Sequence, residues 1–493
     1  MGGRRRGRRA LRPGVRQFAI RDSDFAIRDS GFGIRDSEFA IRLPGRGVLV
    51  LAIALAWLLP GPARAEEPVA WTLDEAVNFA LAHSPDLAER EAAIAVAQDA
   101  QGEVFANFLP KVTVTGGYEY IGNVPEISLA FSPSLPPPLP AININKTVKM
   151  GLNDNWMVAA NLSQVAFASG RIYYGYRAAG EQVSEKRDEV EAARLKVADQ
   201  TAEAFLGLLM AQEVYEAQSA SLRDAKDHLQ DVRTRYDAGA ASKFDLLRAE
   251  VQVETIEPDV TQAAEKINLA TDYLRRAAGL PKDAPVKPIG KLEAADVTPF
   301  DAAAEHDAAQ QQRPELAALA AGQRAYEDAA KSRRAEMLPA VAVTASYGWQ
   351  KPYYFNLDGD TNWTFGVGVQ IPIFDGLAAY RGMTGDRASA EALRRSAVRT
   401  RADIRTDVDA ALLAADEAAK RTKTTKATVE RAQNMENIAE SSYKAGALTS
   451  LDVIDAQLAA TRARVAYLNA LYDYRVARVR LAAAAGELQK IGR

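Results

Sequence analysis

From Lys111 to Tyr120 the chain alternates. Val112, Val114, Tyr118 and Tyr120 share one face, and Lys111, Thr113, Thr115 and Glu119 share the other. A period of two predicts a strand that is apolar on one side. The same alternation returns at Val341, Val343, Tyr347 and Trp349, and at Trp363, Phe365, Val367, Val369 and Ile371. With a strand around Trp156, four strands of about ten residues are predicted. Elsewhere the period is helical. A helix is expected from about Thr72 to His83, broken at Pro85 because proline lacks the amide donor, and a second to about Asn107. Two much longer helices are expected from about Ile172 to Asp237 and from about Leu377 to Lys444. At the usual rise each would reach about 100 Å. Val183, Val190, Val197, Ala204 and Ala211 recur at heptad spacing, as do Ala390, Ala397, Ile404, Ala411 and Ala418. Such spacing predicts coiled-coil-like packing, and so many alanines suit a thin helical wall. Return helices follow, from about Phe244 to Gly279 and from about Leu451 to Gly486.

These elements come in two copies. "HSPDLAERE" from His83 matches "QRPELAALA" from Gln312, and "LPKVTVTGGYEY" from Leu109 matches "LPAVAVTASYGW" from Leu338. "YDAGAASKFDLL" from Tyr236 matches "YKAGALTSLDVI" from Tyr443, and Trp156 and Phe167 match Trp363 and Phe374. The offset falls from 229 to 207, so the first copy carries 22 extra residues between Tyr120 and Trp156. The proline-dense "SPSLPPPLP" lies there and reads as a long loop at the end of a hairpin. The expected organisation is a leader over residues 1–65, a first repeat over 66–290 and a second over 291–493. In the first repeat the hairpin spans about 111–166 and the helix-pair tip about 236–245. In the second these are about 340–373 and about 443–455.

Strands of this length match tilted membrane-spanning strands. Tyr118, Tyr120, Trp156, Tyr347, Trp349 and Trp363 fall towards strand ends, where a membrane-interface girdle would lie. Four strands cannot close a membrane barrel, and an open edge in lipid leaves backbone groups unpaired at several kcal/mol each. If the strands span a membrane, more than one chain must share the barrel. The long helices are not lipid spans, because charges recur along them, as in "EKRDEVEAARLKVAD".

Composition narrows the setting. Residues 18–42 repeat a heptad of the form FAIRDSD and look like an extension ahead of the true start. Arg42 and Arg46, the apolar "VLVLAIALAWLL" and "PGPARA" then have the parts of a secretory signal peptide. This leader holds 13 Arg against 5 acids, so the formal net charge of −3 leaves −11 on the rest. An acidic exported chain has no electrostatic footprint for nucleic acid. The chain has no cysteine and three histidines, His83, His228 and His306, which leaves little for a metal site or a catalytic triad. No glycine-rich phosphate loop follows a strand. An enzyme is not expected, nor a cofactor or metal. His228, in "AKDHLQ", reads as a solvated helix residue.

A signal peptide, two copies of helix, hairpin and long helix pair, and the paired "YxAG…D" tips resemble the TolC-like outer-membrane efflux protein family. The resemblance runs from "WTLDEAVNFALAHSP" to the last helix. "QIPIFDG" from Gln370 looks like the family's strand-to-helix junction, whereas the first-copy "QVAFASG" lacks its proline. It implies an α+β homotrimer in the bacterial outer membrane, with a twelve-stranded β-barrel in lipid continuous with a periplasmic α-helical barrel. It further implies a passive exit duct for small molecules or for proteins, as in efflux or type I secretion. An inner-membrane transporter would drive it through a periplasmic adaptor. The alternative is a soluble periplasmic coiled-coil scaffold without a pore.

At the tips, Gly239 and Gly446 suit left-handed helix C-caps. Ser242 with Asp245 and Thr449 with Asp452 have capping-box spacing, which accounts for both acids as helix starts. Asp455 lies too deep to cap, and three residues apart it shares a face with Asp452, so a trimer would stack two carboxylate rings. The resemblance implies a periplasmic gate here, involving Asp452, Asp455, Asp245 and Tyr443. The same tips, through Tyr236, Gly239, Ser242, Tyr443, Gly446 and Thr449, would dock the adaptor. Leu448 stands where the best-known member has an arginine that ties the tips. Arg248 to Asp455, or Lys243 to a neighbouring acid, is the expected substitute.

Overall fold

The computed structural model describes residues 69–492, apart from 133–135, 137–143, 294–299 and 355. The expected leader and most of the proline-dense stretch lie outside the described residues. Among the described residues the first copy begins with β1 (Val69–Trp71), α1 (Leu73–His83), α2 (Pro85–Phe105) and β2 (Lys111–Tyr120). It continues with β3 (Glu126–Phe131), β4 (Ile144–Lys149), β5 (Asp154–Phe167), α3 (Arg171–Asp237), α4 (Lys243–Ala278) and β6 (Val286–Pro288). The second copy holds α5 (Ala302–Gln312), α6 (Pro314–Ala335), β7 (Ala340–Lys351), β8 (Asp360–Gln370), α7 (Ala378–Lys444) and α8 (Ser450–Ala485), followed by the short α9 (Leu488–Ile491).

Local chemistry sets these boundaries. Thr72 caps α1 with a reciprocal bond to Glu75, and Pro85 and Pro314 open α2 and α6 at positions that need no amide donor. Gly279 and Gly486 close α4 and α8 in the left-handed conformation. Both are also crowded: a Cβ on Gly279 would lie 2.7 Å from the His83 carbonyl oxygen, and one on Gly486 would lie 3.0 Å from the Gln312 carbonyl carbon. The helix break of each copy therefore seats on the glycine that ends that copy's return helix.

The long helices make a wall one helix thick. Nearer the strands, neighbours run α2–α3–α6–α7; nearer the tips they run α4–α3–α8–α7. Alanine and valine line the seams: Val183, Val190, Val197, Ala390, Ile404 and Ala418 are all buried. The largest core sits midway along α3, where Phe205, Leu206 and Leu208 meet Leu274 of α4, Leu471 of α8 and Val77 of α1. There β1 pairs in parallel with β6. Asp328, 2% exposed, ties α6 to α3 through Arg177 at 3.1 Å and also holds Lys331 at 2.7 Å.

The main sheet has the order β2-β5-β7-β8, antiparallel throughout. The extra residues of the first copy differ from the expected plain loop. They add a second, two-stranded sheet, with Glu126 opposite Lys149 and Phe131 opposite Ile144. The β-forming segments on either side of the prolines pair with each other, since proline bars only its own positions from a ladder.

Candidate functional site

The register of the sheet sorts every strand residue onto one of two faces. One face carries Val112, Val114, Tyr118 and Tyr120 of β2, beside Leu162, Ala160, Val158 and Trp156 of β5. It continues through Val341, Val343, Tyr347 and Trp349 of β7 to Val369, Val367, Phe365 and Trp363 of β8. Most of these lie exposed; Trp363 is 74% exposed and Phe365 65%. The opposite face holds Thr113, Thr115, Asn161, Thr344, Ser346, Gly366, Thr364 and Gly368. From Val112 to Tyr120 the apolar band runs about 27 Å along the strand. Tilted as membrane strands are, it would stand about 20 Å tall, close to the apolar band of known outer-membrane barrels.

The six aromatics expected at an interface all lie towards the ends of the strands away from the helices. Tyr118 and Trp156 pack with ring centroids 4.7 Å apart, and Tyr347 stands opposite Trp363. A second exposed group lies at the helix-facing ends: Phe105, Phe108, Phe167, Ile373 and Phe374. Phe105 and Phe108 also contact Tyr176. The sequence carried a signal for this second belt in the matched Phe167 and Phe374, which the alternation argument did not use.

Among the described residues the sheet leaves two edges unpaired, β2 and β8. They run in opposite directions, because the strands alternate and there are four of them. A β8 edge can therefore pair antiparallel with the β2 edge of another copy.

At the far end of the helices, the two tips are built alike. Gly239 and Gly446 have φ of 76° and 77°. Ala240 N donates to Arg235 O at 2.7 Å, and Ala447 N to Ser442 O at 2.8 Å, so each tip closes as a Schellman turn. Ser242 Oγ accepts from Asp245 N at 3.1 Å while Asp245 accepts from Ser242 N at 3.2 Å, and Thr449 and Asp452 pair in the same way, so each tip carries a capping box. The Thr449 hydroxyl and amide hold the Asp452 carboxyl below the usual carboxylate range. Asp455 is exposed, and among the described residues its side chain makes no hydrogen bond or ion pair.

The structure brings Tyr443 and Asp245 to the junction of the tips but not in the arrangement expected for Arg248. Tyr443 is 7% exposed and packs with Val232, Ala249, Val453 and Ala456. Burial pushes its hydroxyl pKa up, and Asp245 and Asp231 add to this against Arg235. Arg248 lies over the ring of Phe244 in its own helix at 4.8 Å. Among the described residues neither Arg248 nor Lys243 forms an ion pair with Asp455 or another acid. Tyr236 is partly exposed, and Leu448 is 37% exposed.

Two residues at this junction were not expected. Arg235 sits 4.3 Å from the Tyr443 ring centroid and donates through Nη2 to the Lys444 carbonyl at 3.2 Å. His228 is buried rather than solvated: its Nε2 is hydrogen-bonded to Ser450 Oγ at 2.9 Å. Its ring meets that of Tyr443 edge-on at 5.1 Å. Burial lowers its pKa, outweighing Asp231 and Glu440.

An incomplete sheet with one apolar face, joined to a long wall of helices that ends in two matched tips, defines a protomer of a membrane barrel with a helical extension. Residues 76–280 and 306–487 match the family described as outer membrane efflux protein, and the chain belongs to that family. It is 26% identical over 295 residues to the alkaline protease secretion protein AprF of Pseudomonas aeruginosa, a match that covers 58% of this chain and 61% of that one. It is 24% identical over 360 residues to the outer membrane efflux protein BepC of Brucella suis, covering 70% of this chain and 75% of that one. Among solved structures it resembles the CmeC outer membrane channel of Campylobacter jejuni, with a TM-score of 0.68 at 18% identity over 84% of this chain and 85% of that one. The open-state MtrE channel of Neisseria gonorrhoeae gives 0.66 at 18% identity, over 85% and 88%. At such identities these two likenesses speak for the fold.

Proposed function

We propose that three copies of this chain close a twelve-stranded barrel in the outer membrane, continued by a helical barrel into the periplasm. The assembly is a passive exit duct for small molecules or proteins. A transporter in the inner membrane drives export through a periplasmic adaptor, and the adaptor docks on the tips at Tyr236–Ser242 and Tyr443–Thr449. The observation that carries this reading is the open four-stranded sheet. Its exposed apolar face suits lipid, its polar and glycine-rich face suits a lumen, and its two edges are complementary. The helical wall supports the same closure. Along its tip half the outer helices leave Phe244, Leu247 and Val251 of α4, and Met435 and Ile438 of α7, exposed where a neighbouring copy would cover them. Efflux proteins and channels are what the family and its solved relatives are, which supports a channel over an enzyme.

The test is the state of the mature product. Heat-resistant trimers in the outer-membrane fraction that conduct ions across planar bilayers are expected. A water-soluble monomer without conductance would return the chain to a coiled-coil scaffold.

A further inference from the structure

At the other end of the molecule, the extra residues of the first copy carry a surface that the duct does not use. Strands β3 and β4 form a two-stranded ribbon, and every residue of both is exposed. Register puts Ile127, Leu129, Phe131, Ile144, Lys146 and Val148 on one face. Glu126, Ser128, Ala130, Asn145, Thr147 and Lys149 form the other. Two strands alone are marginal in water, so such a ribbon keeps its shape when something covers its apolar face. Among the described residues nothing does; Phe131 is 65% exposed. The second copy joins β7 to β8 without such an arm among the described residues, so closing a barrel does not need it.

The neck between ribbon and main sheet sets which way that face points. Ile121 N donates to Asn153 O and Met150 N to Pro125 O, each at 2.8 Å. Between these bonds lie Gly122, Asn123 and Val124 on the outgoing strand, but only Gly151 and Leu152 on the returning one. A one-residue shift exchanges the faces of the strand that carries it. Accordingly the apolar-face residues are even-numbered in β2, ending at Tyr118 and Tyr120, and odd-numbered in β3. The returning strand has no shift, and Ile144, Lys146 and Val148 keep the parity of Trp156 and Val158. Both strands thus carry the apolar face of the sheet on into the ribbon, past the packed rings of Tyr118 and Trp156.

Lys146 is the one charged residue of the six on this face. It stands opposite Leu129, with Ile127 and Phe131 diagonal to it. A lysine so placed lays its stem along the apolar surface and lifts its ammonium to the polar level. We infer that the ribbon is an arm seated on the outer leaflet, with its apolar face against lipid and Lys146 on the phosphate of a phosphorylated lipid. Because the face continues the lipid side of the sheet, it points away from the barrel axis and does not meet the ribbons of neighbouring copies. Its polar back continues the side that holds Thr113 and Thr115.

The inference rests on the chain being an outer-membrane barrel, and one set of labels separates the two claims. In the cysteine-free chain, Leu129→Cys, Ser128→Cys and Val367→Cys are each labelled with a fluorophore. Assembled trimers are placed in phosphatidylcholine vesicles, with and without added lipid A, that contain a spin-labelled phospholipid as quencher. With lipid A, the label at Leu129 is expected to be quenched several-fold more than the label at Ser128, and the label at Val367 to be quenched in both kinds of vesicle. Lys146→Gln is expected to shift the ribbon from seated to free by about fivefold in the presence of lipid A, the effect of one lysine at an anionic surface. The label at Val367 should not respond to that change. Should Leu129→Cys not assemble, Phe131→Cys on the same face takes its place. Equal quenching at Leu129 and Ser128 would overturn the seat, as would a disulfide between unlabelled Leu129→Cys copies of one trimer. A Lys146→Gln variant that behaves like its parent would overturn the phosphate partner. An unquenched label at Val367 would overturn the barrel itself.

Discussion

Glu436 is the residue whose charge is least settled. It lies on α7 above the second tip, facing Asp224 of α3 and Glu440 of its own helix, with Arg464 of α8 opposing them. Burial first, then the two acids, push its pKa from 4.5 up to about 7. The sign follows directly. A carboxyl raised on folding binds its proton more tightly in the folded state, so its contribution is fully present below pH 4.5 and is lost as the pH rises through about 7. His228, with its pKa lowered by burial, has the opposite sense and weakens the same junction as the pH falls below its ordinary 6.5. Glu436→Gln should therefore abolish the loss on the alkaline side and leave the acid loss uncompensated. The absence of cysteine allows a single labelled Ala240→Cys to report melting of the tip across this range. A parent and variant with the same pH profile would show that Glu436 is ionised throughout. Neither group was legible in the sequence. "AKDHLQ" puts Lys226 and Asp227 directly before His228 and reads as a wet surface, and its burial involves Ser450, 222 residues away. The caps were legible, because Ser242, Thr449 and the two glycines act on neighbours within four residues.

Elements were read best where local rules suffice. The long helices begin and end within a residue of expectation, because proline, glycine and capping boxes are short-range signals. Strands β3 and β4 were missed for the same reason turned round: the prolines between them dominated the reading of the whole interval. The main strands raise a different question, since a period of two does not say what covers the apolar face. The register answers it across four strands, with one continuous apolar sheet face left bare. Val367 stands mid-strand on that face, and Thr113 stands on the other. A lysine at Val367 should cost about 2–4 kcal/mol in the membrane if it falls near the bilayer midplane, and about nothing if the face meets water. Val367→Lys is thus expected to deplete assembled trimers from the outer membrane, while Thr113→Lys assembles normally. Equal assembly of both would mean that the sheet is wetted on its two sides.

The assembled molecule is where the sequence said least and charge now says more. Nothing in one chain counts its partners; four strands and two complementary edges require company, and the number three comes from the family resemblance. The wall has its own logic at this scale, because α3 stays central while α2 and α6 give way to α4 and α8 along its length. That exchange brings the tips together at one end, and with them Asp245, Asp452 and Asp455. Asp452 and Asp455 share a helix face, yet they are not equivalent. Asp452 spends one oxygen on the Thr449 amide at 2.8 Å and on its hydroxyl at 2.6 Å. Asp455 has no such partner among the described residues and stands exposed. In the proposed trimer, with these acids facing the duct, the free field would come chiefly from an Asp455 ring, with the Asp452 ring partly spent on starting its helices. Under a salt gradient, Asp455→Asn should move the reversal potential further towards non-selectivity than Asp452→Asn does. Asp452→Asn should instead show itself as a weakened helix start at the second tip, read as earlier melting of a label placed there. A larger selectivity change from Asp452→Asn would mean that its carboxylate leaves the cap in the assembled channel. No change from either variant would place the acids away from the ion path.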